Sequence, residues 1–201
     1  MGGATDTRAR MTRVDRRADL LRCAGRLFGE RGYSATRLDD IAAAAGVTKP
    51  VVYQHFASKK ELYLVLLRKH EADMPGFFEV VADAPAETQA AEVLGAILSV
   101  WFDYVRENRH AWLMLFRDSS GDDEIRAVRA AVSVRARELL AQFIAERGEP
   151  PIPAPQIAPT AELLTSGLAG LALWWIDRPE VDKAIMVEVA ARMVAPALAR
   201  S

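Results

Sequence analysis

The sequence has little of what enzymes and secreted proteins rely on. Its single cysteine, Cys23, excludes an internal disulfide and a thiolate metal cage, and its place in a helical apolar pattern marks it as a small packed residue. The three histidines, His55, His70 and His110, are scattered, and His70, Glu71 and Asp73 do not bring three ligands to one helical face. There is no H-E-x-x-H, no glycine-rich phosphate loop and no base beside Ser119 or Ser120 to make a nucleophile. No uninterrupted apolar run approaches ~18 residues, so no membrane span is expected. The most apolar stretch is Gly167 to Ile176, and the N-terminus lacks the apolar core of a secretion signal. No segment alternates as a strand would. These absences predict an all-α cytoplasmic protein with no catalytic residue, no metal, no cofactor and no membrane partner.

Charge is nearly balanced overall, at −1, but unevenly spread. Residues 1–70 hold 14 Lys/Arg against 7 Asp/Glu, and the remaining residues hold 12 against 20. A basic front and an acidic rear fit a nucleic-acid-binding end joined to a body that stays off the nucleic acid.

The densest local signals lie in Thr36 to Leu67. Thr36 with Asp39 has capping-box spacing, and Leu38, Ile41, Ala42 and Ala45 follow on one helical face. Gly46 suits a helix C-cap, Thr48 an N-cap, and Pro50 falls in a first turn, where its missing N–H costs nothing. Ser58 with Glu61 opens a third helix. In the middle helix Val52 and Phe56 face inward, leaving Lys49, Pro50, Val51, Tyr53, Gln54 and His55 outside, a face without an acid. Lys and Gln reach base edges, Pro and Val touch thymine methyls, and Tyr and His bond phosphate. A half-buried ring closing the small core is the other reading of Tyr53.

The run T-x-x-x-I-A-x-x-A-G-V-T-K-x-x-V-Y-x-H-F-x-S-K-x-E-L resembles the N-terminal domain of the TetR family of transcriptional regulators, and Leu27-Phe28 with Gly32-Tyr33 resembles the end of that family's first helix. The resemblance spans residues 17–67. It implies Arg37, Tyr53, His55 and Lys59 as phosphate contacts, with Lys60 joining them, and Lys49, Pro50, Val51 and Gln54 as base readers. Thr36 and Thr48, at helix starts, are expected to offer hydroxyls and N–H groups to phosphate as well as to cap.

The rest of the chain reads as helix after helix, about nine in all. Residues 1–14 are expected to form a flexible arm, 15–68 a three-helix helix-turn-helix domain, and 69–201 a helical body for ligand binding and dimerisation. Expected body helices cover roughly 86–108, 109–116, 123–147, 156–177 and 179–200, with an irregular stretch at 77–85 and loops at 119–122 and 148–155. The resemblance implies a homodimer built by the last two helices. Independently, the helix after residue 156 is apolar almost all round, which one small domain covers poorly. Gly167, Leu168, Leu171, Trp175, Ile185 and Val189 are the expected interface; filling the core of a single chain is the alternative. Aromatics gather in the body, and Trp101, Tyr104, Trp112, Phe116 and Trp174 are expected around a mostly apolar pocket, ordinary packing being the alternative. Asp103, Glu162 and Asp177 are at hand for a cationic ligand.

The leading expectation is a ligand-responsive repressor that binds a palindromic double-stranded operator as a homodimer and answers to a small, mostly apolar effector. An architectural or activating DNA-binding protein without an effector is the alternative. A lipophile-binding enzyme or carrier is disfavoured by the basic front and the intact reading helix.

Overall fold

The computed structural model describes residues 12–73, 76, 90–118, 121–147 and 152–194. The expected arm up to residue 11, the irregular stretch 77–85, Ser119 and Ser120, residues 148–151 of the proline-rich connection and the chain after Val194 lie outside the described residues. Among the described residues there are nine α-helices and no strand: α1 Arg13–Ala35, α2 Leu38–Ala44, α3 Lys49–Tyr53, α4 Lys59–Asp73, α5 Ala90–Glu107, α6 Arg109–Phe116, α7 Asp123–Arg147, α8 Ala154–Ile176 and α9 Lys183–Val194.

α1 starts earlier than its apolar pattern, because Thr12 caps it. The Thr12 hydroxyl accepts from Asp15 N at 3.1 Å and the Asp15 carboxylate accepts from Thr12 N at 3.3 Å, a full capping box. Arg13 is therefore helical and not part of an arm. Leu20, Cys23, Ala24, Leu27 and Phe28 form the buried stripe, and Gly32, at φ 79°, interrupts the helix near its end. Gly46 makes the helix-turn-helix bend with φ 63°, a value that costs a side chain but not glycine. Ser58 caps α4 through Glu61 N at 3.0 Å.

Two cores form. The first gathers Leu20, Phe28, Ile41, Val52, Phe56, Leu62 and Tyr63, and also takes Met114 from α6 and Ile125 from α7. The second joins α5, the end of α7, α8 and α9 around Phe102, Ile144, Ala172 and Trp175. The helix-turn-helix half thus shares its core with the body. α1 crosses α6 so closely that a Cβ on Gly29 would sit 2.9 Å from the His110 backbone. α4 runs unbroken from the small domain and packs on α1, α6 and α7.

A buried polar knot pins this junction. The Asp118 carboxylate accepts from Tyr33 N at 2.7 Å and Tyr63 Oη at 3.0 Å, and faces Arg129 Nη2 at 3.1 Å. Arg129 also reaches Tyr63 Oη, and Tyr63 Oη lies 3.2 Å from Met114 O. Four segments, α4, α7, the end of α6 and the last turn of α1, meet on one carboxylate.

α8 contradicts the expectation of no membrane-length helix. Ala154–Ile176 is long and apolar enough to cross a membrane by length and composition, which a count of uninterrupted apolar runs missed because Pro159, Glu162, Thr165 and Ser166 interrupt it. Only 17% of its most apolar stretch is buried in the single chain.

Asp118→Ala removes the anion that Arg129 faces and the acceptor of Tyr33 N. Breaking a buried pair from one side costs about 3–5 kcal/mol. Urea unfolding is expected to show a loss of this size, whereas Arg26→Ala, in the exposed Arg26–Glu30 pair, is expected to cost less than about 1 kcal/mol.

Candidate DNA-reading helix and effector cavity

α3 is held by its inner face. Val52 and Phe56 are fully buried, and Lys49, Pro50, Tyr53 and Gln54 are exposed. Val51 and His55 are half-buried. Thr48 occupies the N-cap backbone position, is exposed, and its hydroxyl makes no capping bond. Lys49 Nζ meets Asp39 Oδ2 at 3.0 Å, and this hydrogen bond holds its pKa above the usual value. Both side chains are open to solvent, so the pair is weak and yields readily to a phosphate or base. Arg37 precedes α2, exposed, its N–H donating to Asp40 Oδ2 at 3.3 Å.

Two expected phosphate contacts, Thr36 and Lys59, are spent elsewhere, and a third, Lys60, is held in solvent-exposed ion pairs. Thr36 is fully buried and its hydroxyl lies 2.8 Å from Gly32 O and 3.2 Å from Leu27 O. It closes α1 and does not cap α2, so its hydroxyl does not face phosphate. Lys59 Nζ donates to Tyr33 O at 2.8 Å and Thr36 O at 3.0 Å and sits 4.3 Å over the Tyr33 ring, and burial pushes its pKa down. It ties the end of α1 to the start of α4. Lys60 pairs with Asp122 at 2.8 Å and Glu124 at 2.5 Å, joining α4 to the start of α7.

Arginines at the start of α1 come to the reading helix instead. Arg17 Nη1 donates to His55 O at 2.8 Å, with its guanidinium 4.2 Å over Phe56. Burial, then the charges of Arg13, Arg17 and Arg16, push the His55 pKa down. The signal was legible: three arginines within five residues, of which Arg13 was counted into the arm.

The body holds a mainly apolar cavity of about 190 Å³, lined from α4 to α9. Trp101, Tyr104, Trp112 and Phe116 line it, with Trp112 edge-on to Trp101 and stacked on Phe116. Trp174 does not line it. Its ring is exposed on α8 beneath the Arg178 guanidinium, 4.4 Å away. His70, missed from sequence, is in the wall: its Nδ1 is 2.6 Å from Tyr104 Oη, which lies 3.1 Å from Asp73 Oδ2. The three acids expected for a cationic ligand have partners already: Asp103 with Lys183 and Arg106, Asp177 with Arg117, and Glu162 with Arg137.

The outer face of α8 and α9 is apolar and open. Leu163, Gly167, Gly170 and Trp174 follow one another at four, three and four residues, with open space above both glycines. On α9 the open line is Ile185, Val189 and Met193, whereas Met186, Ala190 and Val194 pack inward. Three expected interface residues turn elsewhere. Leu168 lines the cavity, Leu171 packs half-buried on the second core, and Trp175 is buried with its Nε1 donating to Val181 O at 2.8 Å. Leu163 and Trp174 are the large apolar side chains that α8 leaves exposed on this face.

Residues 20–66 match the bacterial regulatory proteins, tetR family, and residues 90–197, just over half of the chain, match the tetracyclin repressor-like C-terminal domain. Over 109 residues the chain is 37% identical to the HTH-type transcriptional activator FasR of Mycolicibacterium smegmatis, covering 54% of this chain and 49% of FasR. Over 107 residues it is 31% identical to the HTH-type transcriptional repressor KstR2 of the same organism, covering 53% of this chain and 51% of KstR2. The aligned part thus spans about half the length of these curated relatives. Among solved structures, AibR in complex with isovaleryl coenzyme A and operator DNA superposes with a TM-score of 0.68 at 20% identity, over 89% of this chain and 97% of AibR, a likeness of fold.

Lys59→Met is expected to destabilise the chain by about 1–2 kcal/mol, because two carbonyls lose a charged donor. Gln54→Ala, on the open face, is expected to leave urea unfolding within about 0.5 kcal/mol of the parent.

Proposed function

Because this chain belongs to the tetR family of bacterial regulatory proteins, we propose that it is a cytoplasmic transcriptional regulator that binds a palindromic operator as a homodimer and releases it when a small, mostly apolar effector fills the body. In this reading residues 15–68, extended forward to Arg13, are the DNA-binding domain and residues 69–201 the effector and dimer domain. The single observation that carries it is α4: one unbroken helix begins beside the reading helix and ends with His70 in the cavity wall.

Thr48, Lys49, Pro50, Val51 and Gln54 are the groups offered to the major groove. Arg37, Tyr53 and His55 are offered to phosphates, and Arg13, Arg16 and Arg17 add charge beside them. Two copies joined through Leu163, Gly167, Trp174, Ile185 and Val189 would form a four-helix bundle about a two-fold axis and cover the apolar face of α8. That cover answers the membrane-length composition of α8 without a membrane. A dimer reads half-sites about one helical turn, ~34 Å, apart, so a small change in α4 spoils the match.

Two routes lead from the cavity to the reading unit. One is α4 itself, through His70. The other is the end of α6: Leu115 and Phe116 line the cavity and Asp118, two residues on, holds Tyr33 N in the last turn of α1. An effector that prefers one packing shifts DNA affinity by its differential binding alone, and a tenfold change needs ~1.4 kcal/mol.

The alternative, activation without an effector, draws on FasR, whose name is that of an activator. A reporter fused to the bound promoter, with and without the gene, separates the signs: expression that rises on deletion supports repression.

The test of DNA binding is selection of duplexes from a random library. A partly palindromic site is expected, with affinity falling steeply from low to moderate salt at ~0.9 in the logarithmic slope per phosphate neutralised. Gln54→Ala is expected to relax preference at one base position by about 1–3 kcal/mol, and Tyr53→Phe to weaken all sites alike. Flat affinity across salt would remove the reading.

Sedimentation is expected to give a dimer at micromolar concentration. Val189→Glu, which places a charge on the open α9 line, is expected to shift the mass to that of a monomer with helicity retained. A monomeric parent would overturn the dimer.

A further inference from the structure

His70 is the most enclosed polar group of the cavity wall, about 7% exposed, and its hydrogen bonds determine where its proton sits. Burial opposes ionisation of Asp73, but hydrogen bonds from Lys69, at 2.7 Å, and Tyr104 outweigh it and hold the carboxyl below its ordinary range. Asp73 is therefore an acceptor only. Burial, then the Asp73 charge, pushes the Tyr104 pKa up, so the phenol keeps its single proton. At 3.1 Å that proton goes to Asp73 Oδ2. The 2.6 Å contact between Tyr104 Oη and His70 Nδ1 then needs its proton from the imidazole. The opposite assignment would leave two oxygens facing each other with no hydrogen between them.

The ring carries no second proton at neutral pH, since burial, helped by the Lys69 charge, pushes its pKa down to about 4. A neutral imidazole protonated on Nδ1 is bare on Nε2. Among the described residues the hydrogen bond of this ring runs through Nδ1, which leaves Nε2 without a protein donor on a side chain that lines the cavity. An acceptor so placed takes its partner from whatever fills the cavity. The lining around it is mainly apolar, and the charged lining residue, Arg137, has Glu162 Oε2 at 3.0 Å from its Nε.

We propose that His70 Nε2 is the effector's recognition point, and that the effector therefore joins an apolar body to a hydrogen-bond donor, as an alcohol or phenol does, and is not a carboxylate. The inference rests on the reading of the cavity as the effector site. A carboxylate brings no donor at neutral pH and would meet a bare nitrogen backed by Tyr104 and the Asp73 anion. A hydroxyl satisfies Nε2 while the rest of the molecule fills apolar space. Tyr104 and Asp73 are positioning residues: they hold the proton on Nδ1 and so keep Nε2 an acceptor. A cavity of about 190 Å³ suits a single substituted ring, since about 150 Å³ holds benzene. Because His70 lies in the last turns of α4, the same bond pulls on the helix that supports the reading unit.

The experiment uses three probes of one shape, 4-propylphenol, 4-propylanisole and 4-propylbenzoate, titrated calorimetrically into the full chain. The phenol is expected to bind about five- to tenfold more tightly than the anisole, the worth of one buried hydrogen bond. The benzoate is expected to bind most weakly. In His70→Phe the phenol is expected to lose its advantage while the anisole binds as before. His70→Gln, which keeps an acceptor of similar reach, is expected to restore part of it, and Tyr104→Phe to reduce it without abolishing binding. Long-range 1H–15N correlations of the parent's His70 ring are expected to show a protonated Nδ1 and a bare Nε2. Equal binding of phenol and anisole, tightest binding of the benzoate, an advantage that survives His70→Phe, or a protonated Nε2 would each overturn the proposal and leave the cavity reading standing. Failure of all three probes to bind, with the fold intact by circular dichroism, would overturn the cavity reading as well.

Discussion

One buried carboxylate holds the two halves of this chain in register. Asp118 receives a backbone N–H from the last turn of α1, a phenol from α4 and a guanidinium from α7. Removing charge from water is costly, and the cost is recovered only when every partner stands in place. The arrangement therefore tolerates few relative positions of small domain and body. Gly29 against His110 adds a steric limit at the α1–α6 crossing, and the Lys59 ammonium, bonded to Tyr33 O and Thr36 O, closes the same corner from the other side.

That rigidity has a functional consequence. A reading helix of five residues, α3, has no stability of its own and depends on Val52 and Phe56 sitting in a core that reaches into α6 and α7. Motion in the cavity wall then has two stiff paths outward, α4 and the α6–α7 corner. Stiff paths suit a switch, because packed interfaces move between discrete arrangements and do not deform continuously. The polar relay from Asp73 through Tyr104 to His70 lies on the first of these paths.

The apolar outer face of α8 and α9 is a second constraint. A helix with membrane-like composition and little cover within one chain needs cover from elsewhere. Gly167 and Gly170, with open space above them, leave room for a close helix approach, and in the proposed dimer Leu163, Trp174 and the α9 line would supply the contact.

Local chemistry was decided by the sequence itself. The Ser58 cap, the Gly46 turn, the apolar stripe of α1 and the Val52/Phe56 pair depend on neighbours within a few positions, so helix order and the reading helix were legible, whereas the expected Thr36 cap was lost to a hydroxyl that bonds back into α1. The cluster of aromatics that became the cavity wall was legible too. Tertiary structure alone decided where long or ambiguous side chains end. Lys59 and Lys60 look like surface donors in sequence, yet segments distant in sequence supply their partners, and the Thr36 hydroxyl turns back onto the end of α1 instead of forward to α2. Trp174 and Trp175 are neighbours about 100° apart on one helix, and periodicity cannot say which turns inward when both faces are apolar. The same ambiguity hid the inward line of α9, Met186, Ala190 and Val194, behind the equally regular Ile185, Val189 and Met193. His70 became a recognition candidate only when α5 brought Tyr104 to its Nδ1, because a proton's place on an imidazole is set by what the fold lays against it.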